Sequence, residues 1–136
     1  MTSDMRYVMV EENGGGQCRM LQRLRLYCNG KKGAEEDRPF GPEPLVMKVG
    51  GKMFALLSAG GPGSGSISLK CDPLIAVNLR EQYTAISPGY HLNKKHWNTI
   101  ELDGSVPYEE LCDMIDHSHE LVVRGLPKAE RLRFVE

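Results

Sequence analysis

The chain has 136 residues, the size of a single domain. Its 40% hydrophobic and 26% charged residues are typical of a globular protein and exclude wholesale disorder, and no apolar run reaches the roughly 18 residues that a membrane span needs. The net charge of −1 excludes a positive field over the whole surface, so contact with nucleic acid would require a local patch of cations.

Three segments divide the chain. Residues 1–16 end in the breaker Asn13-Gly14-Gly15-Gly16, and we predict an N-terminal extension that is disordered in part. Residues 17–127 carry the periodic apolar pattern of a folded domain, and residues 128–136 form a C-terminal tail to which the pattern assigns no structure. The first residues lack the charged-then-apolar pattern of a signal peptide, so we expect a cytoplasmic protein.

The first predicted element is a helix over residues 17–29. Apolar residues recur there at helical spacing, and Gly30 is a typical helix stop. The segment from residue 17 to residue 33 contains no acidic residue and five basic ones, which are Arg19, Arg23, Arg25, Lys31 and Lys32. We interpret them as a solvated helix face with cations near the helix C-terminus, which the helix dipole favours, rather than as a binding surface.

Residues 34–38 are predicted to be a charged connector, and Pro39-Phe40-Gly41-Pro42 after it a rigid turn. Strands are predicted over residues 45–49 and 52–57. Gly50-Gly51 between them forms a two-residue hairpin turn, because both positions tolerate positive φ.

The Gly/Ser-rich stretch 60–66 is not a phosphate-binding loop, because no Lys-Ser/Thr pair ends it and no helix follows it directly. We predict a long hairpin connection that leads to a third strand at residues 67–70. Asp72-Pro73 then predicts a helix start, with the aspartate as N-cap and the proline in the first turn. The predicted buried face of this helix comprises Ile75, Ala76, Leu79 and Tyr83.

A further strand is predicted over residues 99–102. Ser105 and Pro107 open the last long helix, and Gly125 stops it. Its predicted inward face comprises Leu111, Met114, Ile115, Ser118, Leu121 and Val122. No strand–helix–strand repeat typical of a parallel sheet occurs, so we predict an α+β fold of two layers, with helices on one face of an antiparallel sheet.

The most unusual stretch is residues 89–97, which hold two lysines, two histidines and the only tryptophan; residues 82–100 contain no acidic residue. The lysines can contact phosphates, Asn93 can pair with a base edge, and Tyr90 and Trp97 offer flat faces for stacking. The alternative is structural: a buried tryptophan, a tyrosine that anchors the loop, and solvated lysines. The residue types alone favour this structural interpretation.

Neither a metal site nor a nucleophile is indicated. His91 and His96 are five residues apart and His117 and His119 are two apart, whereas two ligands on one helical face are four apart. Cys71 precedes a helix start, which can lower the pKa of a thiol, but a small buried residue is the preferred interpretation. The four cysteines form no CxxC pair, and we expect free thiols in a reducing compartment.

Five motifs of this chain are similar to those of the MmcQ/YjbR family. They are Phe40-Gly41-Pro42, the run 48–55, Lys70-Cys71-Asp72-Pro73, the run 88–99 and the run 116–122. The resemblance covers residues 17–127, apart from the 60–66 loop. It implies a compact domain with the order α-β-β-β-α-β-β-α, in which Tyr90-His91-Leu92 is a candidate for an additional strand.

The family's fold is similar to secretion-chaperone-like domains and to a double-wing DNA-binding domain. The first hypothesis is therefore a small monomeric module that binds double-stranded DNA weakly and in a salt-sensitive manner, without catalysis, cofactor, metal or membrane. Its proposed contacts come from the hairpin and from the basic–aromatic stretch: Lys48, Lys52, Tyr90, His91, Asn93, Lys94, Lys95, His96 and Trp97.

Two alternatives remain open. The first is a protein-interaction or chaperone-like domain that holds a partner peptide on its sheet face or on an exposed strand edge. The second is an enzyme or ligand-binding domain with a site around Tyr90, His91 and His96.

Overall fold

The computed structural model describes residues 16–59, 65–89 and 92–134. Its helices and strands are, in chain order, α1 (Gly16–Asn29), β1 (Glu35–Asp37), β2 (Leu45–Val49), β3 (Lys52–Ser58), β4 (Ser66–Lys70), α2 (Pro73–Gln82), β5 (Ile86–Pro88), β6 (Trp97–Glu101), α3 (Tyr108–Arg124) and α4 (Lys128–Phe134). The predicted extension, apart from residue 16, and residues 60–64 of the hairpin connection lie outside the described residues. None of the described helices is long and apolar enough to cross a membrane.

The strands form a single antiparallel sheet in the order β1-β2-β3-β4-β6-β5, and α1, α2 and α3 cover one of its faces. The predicted α+β fold and its element order are confirmed. Two short elements, β1 and α4, add to the prediction, at places where the sequence suggested a connector and where it left the tail unassigned.

The connector prediction for residues 34–38 was wrong because its charges have partners. The β1 backbone pairs with β2, with Glu35 opposite Lys48. The Arg25 guanidinium donates to both carboxylate oxygens of Glu36, at 2.6 and 2.8 Å, and Lys48 pairs with Asp37 at 2.8 Å. These ion pairs hold a short acidic strand at the edge of the sheet, and edge strands are commonly short and charged.

The core lies between the sheet and α3, the longest helix. Leu111, Ile115, Ser118 and Val122 of α3 are buried at helical spacing, as predicted, and α3 packs across β3 and β4. At the centre of this layer the ring of Phe54 meets the ring of His119 edge to face, with centroids 5.2 Å apart.

Helix α2 lies over the other margin of the sheet, on β5 and β6. The Asp72 carboxylate accepts from the Leu74 amide at 2.9 Å, which confirms the predicted N-cap. Ala76 is fully buried, but Ile75 is 44% exposed and so does not belong to a buried face as predicted. The reason is that α2 packs at the sheet margin, where α3 does not reach far enough to cover Ile75.

The strand beside β6 is β5, which precedes the candidate strand 90–92. Tyr90 and His91 lie outside the described residues. On the face opposite α3, loop 38–44 and Leu92 border a concave surface of about 690 Å³. Its floor consists of Leu56, Ser58, Ser66, Ser68, Ser87 and Thr99. The sheet therefore has one covered face and one face that is partly open.

Candidate nucleic-acid interface

One end of the sheet gathers turns that are far apart in the sequence. The β2–β3 turn is next to the end of β4, because the register places Ala55 opposite Leu69. The end of β4 is next to the start of β6, with Lys70 opposite Trp97, and the Cys71 amide donates to the His96 carbonyl at 2.8 Å. The turns before β1 and after β5 emerge at this same end, since β1 and β5 are antiparallel to their neighbours.

The C-terminal segment packs against this end as well. A side chain at Gly33 would collide with the ring of Phe134, and a methyl group at Gly50 would lie 2.8 Å from Leu126 Cδ1 and 3.4 Å from the Phe134 ring. Both glycines have positive φ, 77° and 59°. Gly33 and Gly50 thus leave space without side chains in the turns before β1 and after β2. Phe134 packs into this space and so holds α4 against this end of the sheet.

The basic end consists of segments 30–34, 49–52, 70–73, 92–96 and 124–134. It carries ten cationic side chains and two acidic ones, Asp72 and Glu130, a net charge of +8 in a chain whose total is −1. All eight lysines of the sequence lie in these segments or, for Lys48, one residue away. The ten cations are Lys31, Lys32, Lys52, Lys70, Lys94, Lys95, Arg124, Lys128, Arg131 and Arg133.

Part of this charge is neutralised by neighbouring carboxylates. Lys31 pairs with Asp116 at 2.9 Å and Arg124 with Glu120 at 2.8 Å, both on α3. Counting these two acids leaves +6 at the basic end. A strong positive field therefore remains on one end of a nearly neutral molecule.

The turn before β6 is held from two sides. The Asn93 side-chain oxygen accepts from the amides of Lys95 at 2.9 Å and His96 at 3.3 Å. Arg80 of α2 donates to the Lys94 carbonyl and, at 2.7 Å, to the side-chain oxygen of Asn98. These hydrogen bonds fix the conformation of the turn that carries Lys94 and Lys95. The Asn93 oxygen is engaged within the turn and does not contact a base edge.

Trp97 is not the stacking platform that the first hypothesis requires. It is only 8% exposed, and a methyl group at Gly89 would lie 2.6 Å from its Cβ. The structural interpretation of this residue is the correct one, because the first residue of β6 packs against Gly89, which follows β5. A buried indole cannot stack on a base.

The other residues predicted to contact DNA differ in their exposure and in their hydrogen-bond and ion-pair partners. Lys52 and Lys95 are exposed at the basic end, and His96 is half-buried. The Lys94 ammonium donates to the Gly89 carbonyl at 3.2 Å, within the same loop. Lys48 pairs with Asp37 at the edge of the sheet, so that part of its charge is neutralised.

Several cations of the basic end were missed by the sequence reasoning. Lys31 and Lys32 were interpreted as a solvated helix end, and Lys128, Arg131 and Arg133 belonged to an unassigned tail. Their charge was visible in the sequence. Their proximity to the hairpin and to the 92–96 turn depends on sheet order and on the contact of Phe134 with two glycines.

The described residues offer little nucleophilic or metal chemistry. Burial raises the pKa of the Cys71 thiol to about 11, with Asp72 adding to the shift, so its position before a helix does not activate it. Cys28, Cys71 and Cys112 are free and buried. Across residues 16–59, 65–89 and 92–134, no group of three histidine, cysteine or acidic side chains is arranged to hold a metal ion.

Comparison with known proteins gives consistent matches. A family model described as YjbR matches residues 29–121. The Escherichia coli K12 protein YjbR is 34% identical over 116 residues, which cover 85% of this chain and 98% of that protein, and YbdF of E. coli O157:H7 is 43% identical over 95 residues, 70% of this chain and 77% of that protein. The names of these relatives state no activity.

A solved structure has the same fold. The crystal structure of Deinococcus radiodurans protein DR2400, with the domain DUF419, superimposes with a TM-score of 0.77 at 41% identity, over 84% of this chain and 86% of that one. A Pseudomonas syringae protein superimposes with a TM-score of 0.64 at 31% identity, over 74% of this chain and 96% of that one.

Proposed function

The chain belongs to the YjbR family, and from this premise we propose that it is a monomeric, cytoplasmic, non-catalytic domain that binds the phosphate backbone of double-stranded DNA with the basic end of its sheet. The observation that carries the proposal is the charge separation, ten cations against two acids at one end of a chain of net charge −1. A uniformly distributed charge would favour no anionic partner.

The dimensions of the basic end suit a run of phosphates. Lys31 and Lys32 emerge beside β1, and Lys94 and Lys95 beside β6, four strand spacings away in the sheet order. At about 4.8 Å per spacing this is about 19 Å. One DNA strand rises about 3.4 Å per nucleotide, so the end faces roughly five or six phosphates.

The binding should be independent of sequence. Discrimination between bases needs side chains that reach the base edges, and the oxygen of Asn93, the residue predicted to pair with a base edge, is used within its own turn. Lysine and arginine contacts to phosphate give affinity and orientation only. We therefore expect micromolar or weaker affinity that falls steeply with salt.

The test is fluorescence anisotropy of a labelled random duplex across a salt series, for the native chain, for Lys94→Glu/Lys95→Glu and for a charge-matched control. The control Arg19→Glu/Arg38→Glu makes the same charge change away from the basic end. We expect a slope of log K against log salt of about −4 to −5 for the native chain, reduced by about 2 in the lysine variant. Affinity at low salt should drop at least tenfold there and less than threefold in the control.

Two results would overturn the proposal. One is the absence of binding by the native chain at low salt. The other is an equal loss in the lysine variant and the control, which would mean that only net charge matters. Circular dichroism melting of each variant shows whether the fold is retained.

The alternative partner is an extended polypeptide with basic side chains, and one observation favours it. The partly open sheet face is bordered by the carboxyl groups of Glu43 and Glu101, with Phe40 and Pro44 on one side and Leu92 on the other. Such a face suits an apolar segment that carries a cation, and it repels DNA. A peptide complex that persists at high salt, from a chain that does not bind the duplex, would favour this function.

A further inference from the structure

Helix α2 exposes more apolar surface than its position in the fold explains. Leu74 is 79% exposed, Val77 46% and Ile75 44%, three of the six large hydrophobic side chains that are exposed among the described residues. They lie within four positions of a ten-residue helix. Single exposed apolar residues are ordinary, whereas a cluster on one helix marks an interaction surface.

Ile75 also lines a cleft between α2 and α3. The α2–α3 cleft has a volume of about 250 Å³, and its walls are apolar. Its base is fixed, because the Asp72 amide donates to His117 Nε2 at 3.1 Å and thereby joins the start of α2 to α3. The wall residues are Leu69, Ile75, Leu79, Ile100 and Met114.

The rim of the cleft is acidic. Glu110 and Asp113 border it from α3, and within the described part of the chain neither takes part in an ion pair. Lys70 is the cation among the lining residues. Arg80 of α2 is turned away, with its guanidinium bound to Asn98 and to the loop before β6.

We propose that the α2–α3 cleft docks an amphipathic helix of a partner protein, which inserts apolar side chains spaced four residues apart and places a lysine or arginine against Glu110 and Asp113. Helix-in-groove recognition uses this combination of an apolar stripe and flanking charges. Cations opposite the acidic rim supply the charge complementarity that favours this partner.

The same features disfavour other occupants. A volume of 250 Å³ is below the roughly 300–1,000 Å³ of most small-molecule sites, and the exposed Ile75 at its edge leaves the cleft open to a larger partner. A two-fold dimer through this face would bring the acidic rims of both copies together. DNA would meet the same repulsion, so the cleft is a second site that adjoins the basic end at Lys70.

The probe is a synthetic 15-residue peptide, held helical by a side-chain bridge, with leucines on one face and lysines beside them. A matched peptide carries glutamate in place of each lysine. Binding of the labelled peptides is measured for the native chain, for Ile75→Ser and for Glu110→Gln/Asp113→Asn. The controls are Leu132→Ser, an exposed leucine on α4, and Glu109→Gln/Glu120→Gln, two acids of α3 outside the cleft.

We expect the lysine peptide to bind the native chain and to lose at least tenfold in affinity in both cleft variants, with less than twofold loss in both controls. The glutamate peptide should bind at least tenfold more weakly. Absence of binding, or equal losses in cleft variants and controls, would overturn the proposal. So would native self-association in sedimentation equilibrium that Ile75→Ser abolishes, because the occupant would then be a second copy. The substitutions are all at surface positions, and a melting curve checks that each variant is folded.

Discussion

Ser118 donates its hydroxyl to the carbonyl of Phe54 at 2.6 Å, which joins α3 to β3 in the centre of the molecule. The same oxygen accepts from the Lys70 amide of β4 at 2.9 Å. Since the register places Ala55 opposite Leu69, Phe54 and Lys70 are the next positions along the two strands. A fully buried serine thus bridges the backbones of two strands where their pairing ends.

Replacing Ser118 should lower the free energy of unfolding by more than the small size of its side chain suggests. In Ser118→Ala both backbone groups lose their partner, and a buried unsatisfied polar group costs about 1–3 kcal/mol. We expect the free energy of unfolding to fall by about 2 kcal/mol in urea titrations, with an unchanged m-value. Ser87→Ala, at an exposed position of β5, is the control and should change it by less than 0.5 kcal/mol, as surface substitutions commonly do. A neutral Ser118→Ala would mean that the bridge contributes nothing to stability.

The loss of stability at acid pH should depend on the ion pair between Arg25 of α1 and Glu36 of β1. Hydrogen bonds from Arg25, and then from Asn29, lower the pKa of Glu36 from its ordinary value of 4.5 to about 2. Because the folded pKa is the lower one, this stabilisation is present above pH 4.5 and is lost as the pH falls towards 2. The native chain should therefore be more stable than Glu36→Gln at pH 7, and the difference should vanish near pH 2.

Urea unfolding at a series of pH values measures this difference. Glu35→Gln, one position earlier in β1, provides a matched control. A constant difference between the native chain and Glu36→Gln from pH 7 to pH 2 would contradict the assignment.

The start of α2 offers a prediction about helix capping. Asp72 accepts from the amide of Leu74 at 2.9 Å and more weakly from that of Ile75 at 3.5 Å. Asp72→Ala should lower the free energy of unfolding by about 1 kcal/mol, whereas Asp72→Asn should lose much less because asparagine also caps. Thermal melting of the two variants would decide it, and equal losses would assign the effect to charge instead of capping.

Helix α4 should depend on Phe134 for its position. The ring covers Gly33 and Gly50, and α4 has no fully buried residue of its own. Phe134→Ala leaves the net charge unchanged but should release the helix, so the amides of residues 128–134 should exchange hydrogen faster. The proposed DNA affinity should fall as well, because three cations leave the basic end. Leu132→Ala, at a 66% exposed position, should alter neither measurement.

The described cysteines should resist alkylation in the folded state. Burial raises the pKa of Cys28 to about 12 and that of Cys71 to about 11, and it raises the pKa of Cys112 as well. The thiolate is the reactive form, so iodoacetamide at pH 8 should modify these three residues slowly in the native chain and rapidly in urea. Peptide mass mapping at several times reports each residue separately. Fast native labelling of Cys71 would indicate an accessible, activated thiol.

Local signals in the sequence were reliable wherever neighbouring residues alone decide the conformation. Gly50-Gly51 forms the predicted turn with positive φ at both residues, and Asp72-Pro73 begins a helix. Apolar spacing identified the buried face of α3. These features depend on contacts within a few residues, and such contacts are the same in any fold that contains them.

The predictions failed at positions whose structure depends on residues that are distant in the sequence. Residues 35–37 form a strand because β2, Arg25 and Lys48 lie beside them, although their composition is that of a solvated connector. Ile75 is exposed because α3 does not reach far enough to cover it. The spacing of apolar residues within α2 carries no information about the position of α3. Trp97 was assigned two alternative roles, and only its packing against Gly89 distinguished them.

The sequence by itself determined the fold class, the helix and turn boundaries set by capping and glycine residues, and the presence of many lysines in short runs between apolar segments. The tertiary structure alone decided that these runs meet at one end of the sheet, and that α2 retains an uncovered apolar face beside two carboxylates. The physical reason is the distance along the sequence over which each kind of interaction acts. Backbone preferences act between near neighbours, whereas an electrostatic field and an open surface arise from groups that only strand order and helix packing bring together.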